Sequence, residues 1–254
     1  MTKIIKTVGE WKLLRKTFLA GEKSVGFVPT MGALHKGHES LIKKCIEQND
    51  ISVVSIFVNP TQFNDPNDFR NYPKVFEKDL ETLENNRVNF LFYPEYSEIY
   101  SDNYNYRIVE NSFSKLLCGE FRPGHFEGVL TIVMKLLNII SPDRAYFGEK
   151  DYQQFKLIEQ MCKAFFLDVE IIPCPTIREE DGLAMSSRNL LLTDEERKVA
   201  AQFPNRLMSN KEPSEIKNEL EQLGFKVDYI TDLEQRRFGA VHLGKVRLID
   251  NVQL

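Results

Sequence analysis

Cysteine is scarce and scattered. The four in 254 residues, Cys45, Cys118, Cys162 and Cys174, form no C-x-x-C pair, which argues against a zinc site and against a disulfide framework. Cys45 and Cys162 fall on the apolar stripes of predicted helices, where a free thiol acts as a small hydrophobe. Long apolar runs are missing too: none approaches the roughly 18 residues a membrane-spanning helix needs. The first residues, MTKIIKTVGEWKLLRKTF, are broken by charge and lack a signal peptide's apolar core. A cytoplasmic protein without a membrane partner is the expectation. Positive charge is not in excess; the formal net charge is −4, so no global field draws nucleic acid.

What is there is the composition of a globular protein, 42% hydrophobic and 28% charged, with length for a real core in one or two domains. Val8, Trp11, Leu14 and Phe18 recur at three and four, which predicts a helix over 7–20 ended by Gly21. Val25 to Val28 is a short apolar run. From His38, the residues Leu41, Ile42, Cys45 and Ile46 keep a helical period, and ISVVSIFVN then reads as a buried strand. Strand, helix and strand in this length make a βαβ unit, hence a parallel sheet.

The alternation continues with a helix through Asp79 and Leu83, the strand VNFLFYP, an apolar helix over 128–140 and the strand RAYFG. DYQQFKLIEQMCKAFF follows as a helix with Ile158, Met161, Cys162 and Phe165 inward, then the strand VEIIPCP. The predicted fold class is α/β, a doubly wound, Rossmann-like parallel sheet. Composition shifts at Pro173 and Pro175, which places this domain at 1–175 and a smaller α+β C-terminal domain at 176–254. The second part opens in a polar loop-rich stretch, continues in the helix TDEERKVAAQF capped by Thr193, and ends in a helix and a few short strands.

In VPTMGALHKGHESL two histidines stand three apart, with Gly37 between them, after a strand and before a helix. Open parallel sheets bind ligands at the carboxyl ends of their strands, and the unpaired N–H groups of a helix N-terminus favour anions. Gly37 removes a side chain where a phosphate would approach the backbone. The plain alternative is a helix cap and a surface histidine. Metal binding is less attractive, because no third ligand stands at a recognisable spacing.

FGEKDYQQ places Lys150 beside a helix N-terminus without the turn of a Walker loop. GLAMSSRN supplies Ser186, Ser187 and Arg188, two hydroxyls and a guanidinium suited to phosphate oxygens. FVNPTQF presents Gln62 at a strand end, and FRPGHF adds Arg122 and His125 in a Pro/Gly loop. Each of these alone is ordinary turn or surface chemistry.

Together and in this order, VPTMGALHKGHESL, SIFVNPTQF with NYP, RPGHFEGV, FGEKDYQQ and DGLAMSSRN resemble the pantothenate synthetase family of nucleotidylyltransferases, from Val25 to about Asn189 and again in RLIDN. The resemblance implies ATP-dependent joining of pantoate to β-alanine through a pantoyl adenylate, with release of AMP and pyrophosphate. It also implies Mg²⁺ and a homodimer. Met31, Gly32, Ala33 and Leu34, followed by His35, Lys36, Gly37 and His38, would hold ATP, with His38 the proton donor. Gly148, Glu149, Lys150 and Asp151, and then Met185, Ser186, Ser187 and Arg188, match further ATP contacts. His35, Lys150 and Arg188 would stand near the phosphates and join His38 in the catalytic set, and the backbone of Ile177 would meet adenine.

Gln62 and Gln154 match the pantoate site, Gln62 also β-alanine; spacing alone leaves Gln153 and Gln154 open. No protein ligand to Mg²⁺ is implied, since phosphates and water supply it. The C-terminal segment reads as shorter than the family pattern, hence a reduced lid. ATP is expected to raise the pKa of His38, because a triphosphate favours imidazolium where a helix N-terminus disfavours it. Two other readings compete: a nucleotidylyltransferase acting on a phosphate, which would not need Gln62 and Gln154, and a nucleotide-binding protein without turnover.

Overall fold

The computed structural model describes residues 1–254. Six short apolar segments become strands: β1 Lys3–Ile5, β2 Val25–Thr30, β3 Ile51–Ile56, β4 Phe90–Phe92, β5 Arg144–Gly148 and β6 Glu170–Cys174. They pair in parallel in the order β1-β4-β3-β2-β5-β6. In β3 every residue of ISVVSI is buried, which is why its sequence runs on instead of alternating. The period-two rule still decides the faces. Phe27 and Val53 join one core cluster with Trp11, Leu130 and Ile158, whereas Val28 and Val54 join another with Ile42 and Leu83.

The helices Val8–Ala20, His125–Ile140 and Tyr152–Ala164 therefore cover one face, and Lys36–Gln48 and Phe76–Asn85 the other. The single tryptophan, Trp11, is fully buried and donates from Nε1 to the Ile140 carbonyl at 3.1 Å. From β2 the chain winds outward through β3 to β4, then returns to place β5 against the other side of β2. That reversal is the switch point of a doubly wound sheet, and it opens a crevice at the carboxyl ends of β2 and β5.

Several boundaries differ from the sequence reading for local reasons. β1 has three residues, too few for a period to register. The helix after β2 starts at Lys36, two residues before His38, because His35 caps it. Phe165, expected inward, is 54% exposed and lies just past the last residue of its helix. TDEERKVAAQF is two helices, Asp194–Ala200 and Gln202–Leu207.

The few short strands are three strands of eight residues, β7 Lys226–Leu233, β8 Arg236–Leu243 and β9 Val246–Gln253, in an antiparallel sheet. Their β7–β8 turn uses Glu234 and Gln235 at φ 49° and 61°, left-handed positions usually marked by Asn or Gly. Phe203, Leu207, Ile216 and Leu220 pack under this sheet as a third core. The sheet is tied to the end of β5 through RLIDN. Asn251 donates from Nδ2 to the carbonyls of Glu149 and Lys150, both at 2.9 Å. Asp250 takes a bidentate pair from Arg178 at 2.6 and 3.0 Å. No helix is long and apolar enough to cross a membrane.

Candidate active site

After Thr30 the chain turns sharply, with Gly32 at φ 81° and Ala33 at φ 52°. The second value is a left-handed conformation that alanine adopts only at a cost. What holds it is Asp79, from the helix Phe76–Asn85. Its Oδ2 accepts from the Ala33 N–H at 2.9 Å and its Oδ1 from the Leu34 N–H at 2.7 Å. Asp79 is 2% exposed; burial raises its pKa against these two bonds, which lower it. A Cβ on residue 32 would stand 2.8 Å from Asp79 Oδ2, so Gly32 is required by space as well as by φ.

The turn delivers His35 and His38. His35 is the N-cap, its Nδ1 accepting from the Gly37 N–H at 3.1 Å, and its own N–H donates to His38 Nδ1 at 3.3 Å. Both Nδ1 atoms are thereby acceptors, which leaves each ring's proton on Nε2. The ring centroids lie 4.1 Å apart. Burial first, then Lys150, lowers the pKa of His35 to about 4. Burial, then His35 and Lys150, lowers that of His38 to about 3. The result is two neutral Nε2–H donors at a helix N-terminus, able to meet phosphate oxygens without a change of protonation. Gly37 has a reason beyond open backbone: a Cβ there would lie 2.9 and 3.0 Å from atoms of the His35 ring.

Both histidines line a cavity of about 250 Å³ at the ends of β2 and β5. The same cavity gathers Met31 and Gly37 from the turn, Gly148, Lys150, Asp151 and Gln154 from the end of β5, and Gln62 from the end of β3. Ile177, Met185, Ser186, Ser187 and Arg188 close it from the C-terminal side. The remaining expected ATP residues are not in its wall. Gly32, Ala33 and Leu34 are buried behind the turn, Lys36 is exposed, and Glu149 faces Arg236 at 3.7 Å. Phe57, Val129, Ile132, Val133, Leu136 and Phe147 supply an apolar wall.

The polar groups are held in place. Gln62 Oε1 accepts from buried Asn59 at 3.0 Å and its amide nitrogen meets Met31 Sδ at 3.2 Å. Arg188 pairs with Asp68 at 2.9 Å, and Lys150 with Asp151 at 3.7 Å. Geometry separates the two glutamines that spacing could not. Gln153 is buried and bonded to the Cys118 N–H and to the Phe113 and Leu116 carbonyls, whereas Gln154 lines the cavity. Sequence reasoning missed Asp79, and Asp68 as a partner of Arg188. Asp79 acts 46 residues from the backbone it holds, and Asp68 lies 120 from Arg188, with no local pattern to announce either.

Nowhere do three His, Cys, Asp or Glu side chains converge to hold a metal ion. Asp68 is paired with Arg188 and Asp79 is spent on backbone.

A third histidine, this one buried, shares the wall. His125 is 7% exposed, and burial, then Arg122, lowers its pKa to about 3. Unfolded, each of the three imidazoles titrates near 6.5. As pH falls below that value the unfolded chain binds protons that the native state refuses, so stability is expected to drop between about pH 6.5 and 3. At pH 5 His125 alone accounts for about 2 kcal/mol. Urea midpoints measured at pH 7 and 5 check this; equal midpoints would contradict the buried neutral state.

A sequence model described as Pantoate-beta-alanine ligase matches residues 3–253. The chain is 53% identical over 254 residues to pantothenate synthetase of Bdellovibrio bacteriovorus, covering 100% of each, and 51% identical over 251 residues to that of Legionella pneumophila, covering 99% of each. It superposes at TM-score 0.95 on the crystal structure of pantoate-beta-alanine ligase from Francisella tularensis complexed with beta-gamma ATP and beta-alanine. That pair is 44% identical, with 100% of this chain and 98% of the other covered. Pantothenate synthetase from Thermus thermophilus superposes at 0.89 with 35% identity, 99% of each chain covered. Against these relatives, matched almost end to end, the C-terminal segment is not short.

Proposed function

The chain belongs to the pantoate-beta-alanine ligase family and catalyses ATP-dependent condensation of pantoate with β-alanine, and from that premise we propose that the reaction runs through a pantoyl adenylate in the cavity beyond β2 and β5. A carboxylate is a poor acylating agent. In the first step a pantoate carboxylate oxygen attacks the α-phosphorus of ATP and pyrophosphate leaves. In the second, the neutral amine of β-alanine attacks the acyl carbon, the C–O bond to AMP breaks, and the amine proton is lost to solvent. The amine has an intrinsic pKa near that of lysine, about 10, so it must first give up a proton.

The observation that carries this reading is the convergence of Lys150, Arg188 and two neutral imidazole donors on one cavity at the switch point. Charge growing on the phosphates during attack is stabilised by these groups and by the helix N-terminus. His38 is the catalytic donor, its neutral Nε2–H hydrogen-bonding the phosphates while the two steps balance without its proton. Gln62 and Gln154 hold pantoate by neutral amides, which orient the acid without blunting its nucleophilicity. The Ile177 carbonyl already accepts from the Met185 N–H at 2.9 Å, which leaves the Ile177 N–H to meet adenine. Mg²⁺ arrives on the ATP phosphates. Residues 1–175 form the ATP and pantoate domain and 176–254 a lid that brings Met185 to Arg188 over it. The enzyme works as a homodimer in the cytoplasm.

The test is AMP formation from ATP and Mg²⁺ with each acid omitted in turn. AMP in quantity only with both, alongside pantothenate, is the expected result. Turnover of ATP without pantoate dependence would overturn the adenylate assignment.

A further inference from the structure

Lys150 brings its charge to the cavity from the end of β5, yet nothing near it in the chain fixes where it points. Its ammonium has one ion-pair partner, Asp151 of the same turn, at 3.7 Å. The turn Glu149–Asp151 and the helix Tyr152–Ala164 behind it have no capping side chain of their own. Where the Lys150 side chain starts is therefore decided by what grips the backbone of the turn.

That grip comes from the second sheet, 101 residues along the chain from Lys150. Asn251 of β9 is 4% exposed, and its Nδ2 donates to the carbonyls of both Glu149 and Lys150 at 2.9 Å. One NH₂ group thus spans two successive carbonyls. Which end of the amide faces them is settled from β8. Arg236 donates from Nη1 to Asn251 Oδ1 at 2.5 Å, so the NH₂ is the end left for the turn. Arg236 is itself placed by the same segment, its guanidinium carbon 4.0 Å from the centre of the Tyr152 ring and its Nη2 3.7 Å from Glu149.

The neighbouring residue serves the opposite wall. Asp250 holds Arg178, whose Nη1 also donates to the Gly182 carbonyl at 3.0 Å, just before the stretch Met185 to Arg188. Two adjacent residues of one strand therefore fasten both segments that carry cations to the cavity. Asn251 does not line that cavity itself.

Resting on the proposed role of Lys150 at the phosphates, we infer that Asn251 is a positioning residue for Lys150. By fixing the two carbonyls of the turn it aims the ammonium, and it makes the C-terminal sheet part of the adenylation site. A misplacement of about 1 Å is enough to slow a reaction 10²-fold.

The test uses pantoate-dependent ATP–pyrophosphate exchange, which needs the first half-reaction alone, together with urea midpoints. Asn251→Ala is expected to slow exchange by about 10–10²-fold and to lower the midpoint. Added to Lys150→Ala, the same substitution should lower the midpoint again but slow exchange by less than about two-fold further, because no ammonium is left to misplace. Asn251→Asp keeps the volume and the acceptor for Arg236 but sets a carboxylate against two carbonyl oxygens. It should be at least as slow as the alanine variant, and it carries the test if that variant does not fold. Wild-type exchange in folded Asn251 variants, or losses that multiply in full in the double variant, would make Asn251 a structural tie alone and overturn the inference. Failure of both variants to fold would do the same. Lys150→Ala exchanging at the wild-type rate would instead overturn the placement of Lys150 beneath it.

Discussion

His38→Ala is expected to slow pantoate-dependent AMP formation by about 10²–10⁴-fold, with far-UV circular dichroism unchanged. The ring makes two contributions that alanine removes. Its Nδ1 accepts from the His35 N–H, part of the cap on the helix Lys36–Gln48, and its Nε2–H is the donor left for the cavity it lines. His38→Gln distinguishes how that donor works. A neutral amide still donates a hydrogen bond, so a glutamine variant that recovers much of the rate would show that positioning and electrostatics suffice. One as slow as alanine would show that the proton itself is transferred. The low free-state pKa, about 3, also means that the His38 ring should not titrate between pH 5 and 8 without ATP. An NMR titration with and without a non-hydrolysable ATP analogue checks this, and the nucleotide is expected to move the value up. Titration near 6.5 in the free protein would contradict the half-buried, backbone-held ring.

Asp79→Ala should show its effect on stability first. It leaves the Ala33 and Leu34 N–H groups buried without acceptors, and orphaned donors of this kind cost about 1–3 kcal/mol each. It also removes what holds Ala33 at φ 52°. A loss of about 3 kcal/mol by urea denaturation is expected, together with weaker ATP binding, because the released turn no longer delivers His35 and His38. Asp79→Asn is no rescue: an amide has one acceptor oxygen for two donors and turns its NH₂ toward the other. Stability and nucleotide affinity both equal to wild type would show that the turn holds itself.

The parts of the fold set by local pattern were readable. ISVVSI announces a strand buried on both faces, and Leu41, Ile42, Cys45 and Ile46 announce a helix, because hydrophobic period records burial. The eight-residue strands of the second sheet were harder, since Asp228, Thr231 and Asp232 interrupt β7 and its turn has no glycine or asparagine. In the site, residues next to a strand end or a helix start stood out: His35, His38, Gln62, Lys150. Those that act across the fold did not. Nothing near Asp79 or Asp68 in sequence shows that one holds a turn and the other an arginine, and Gln153 and Gln154 part only when the helix is seen against its neighbours.

The most direct measurement follows one oxygen. Pantoate labelled with ¹⁸O in its carboxylate, turned over with ATP and β-alanine, is expected to leave one label on the phosphate of AMP and keep the other in the amide, because the carboxylate oxygen that attacked the α-phosphorus departs with it. Pantothenate formed with AMP free of label would mean that no pantoyl adenylate lies on the path, and would contradict the role assigned to the cavity at the ends of β2 and β5.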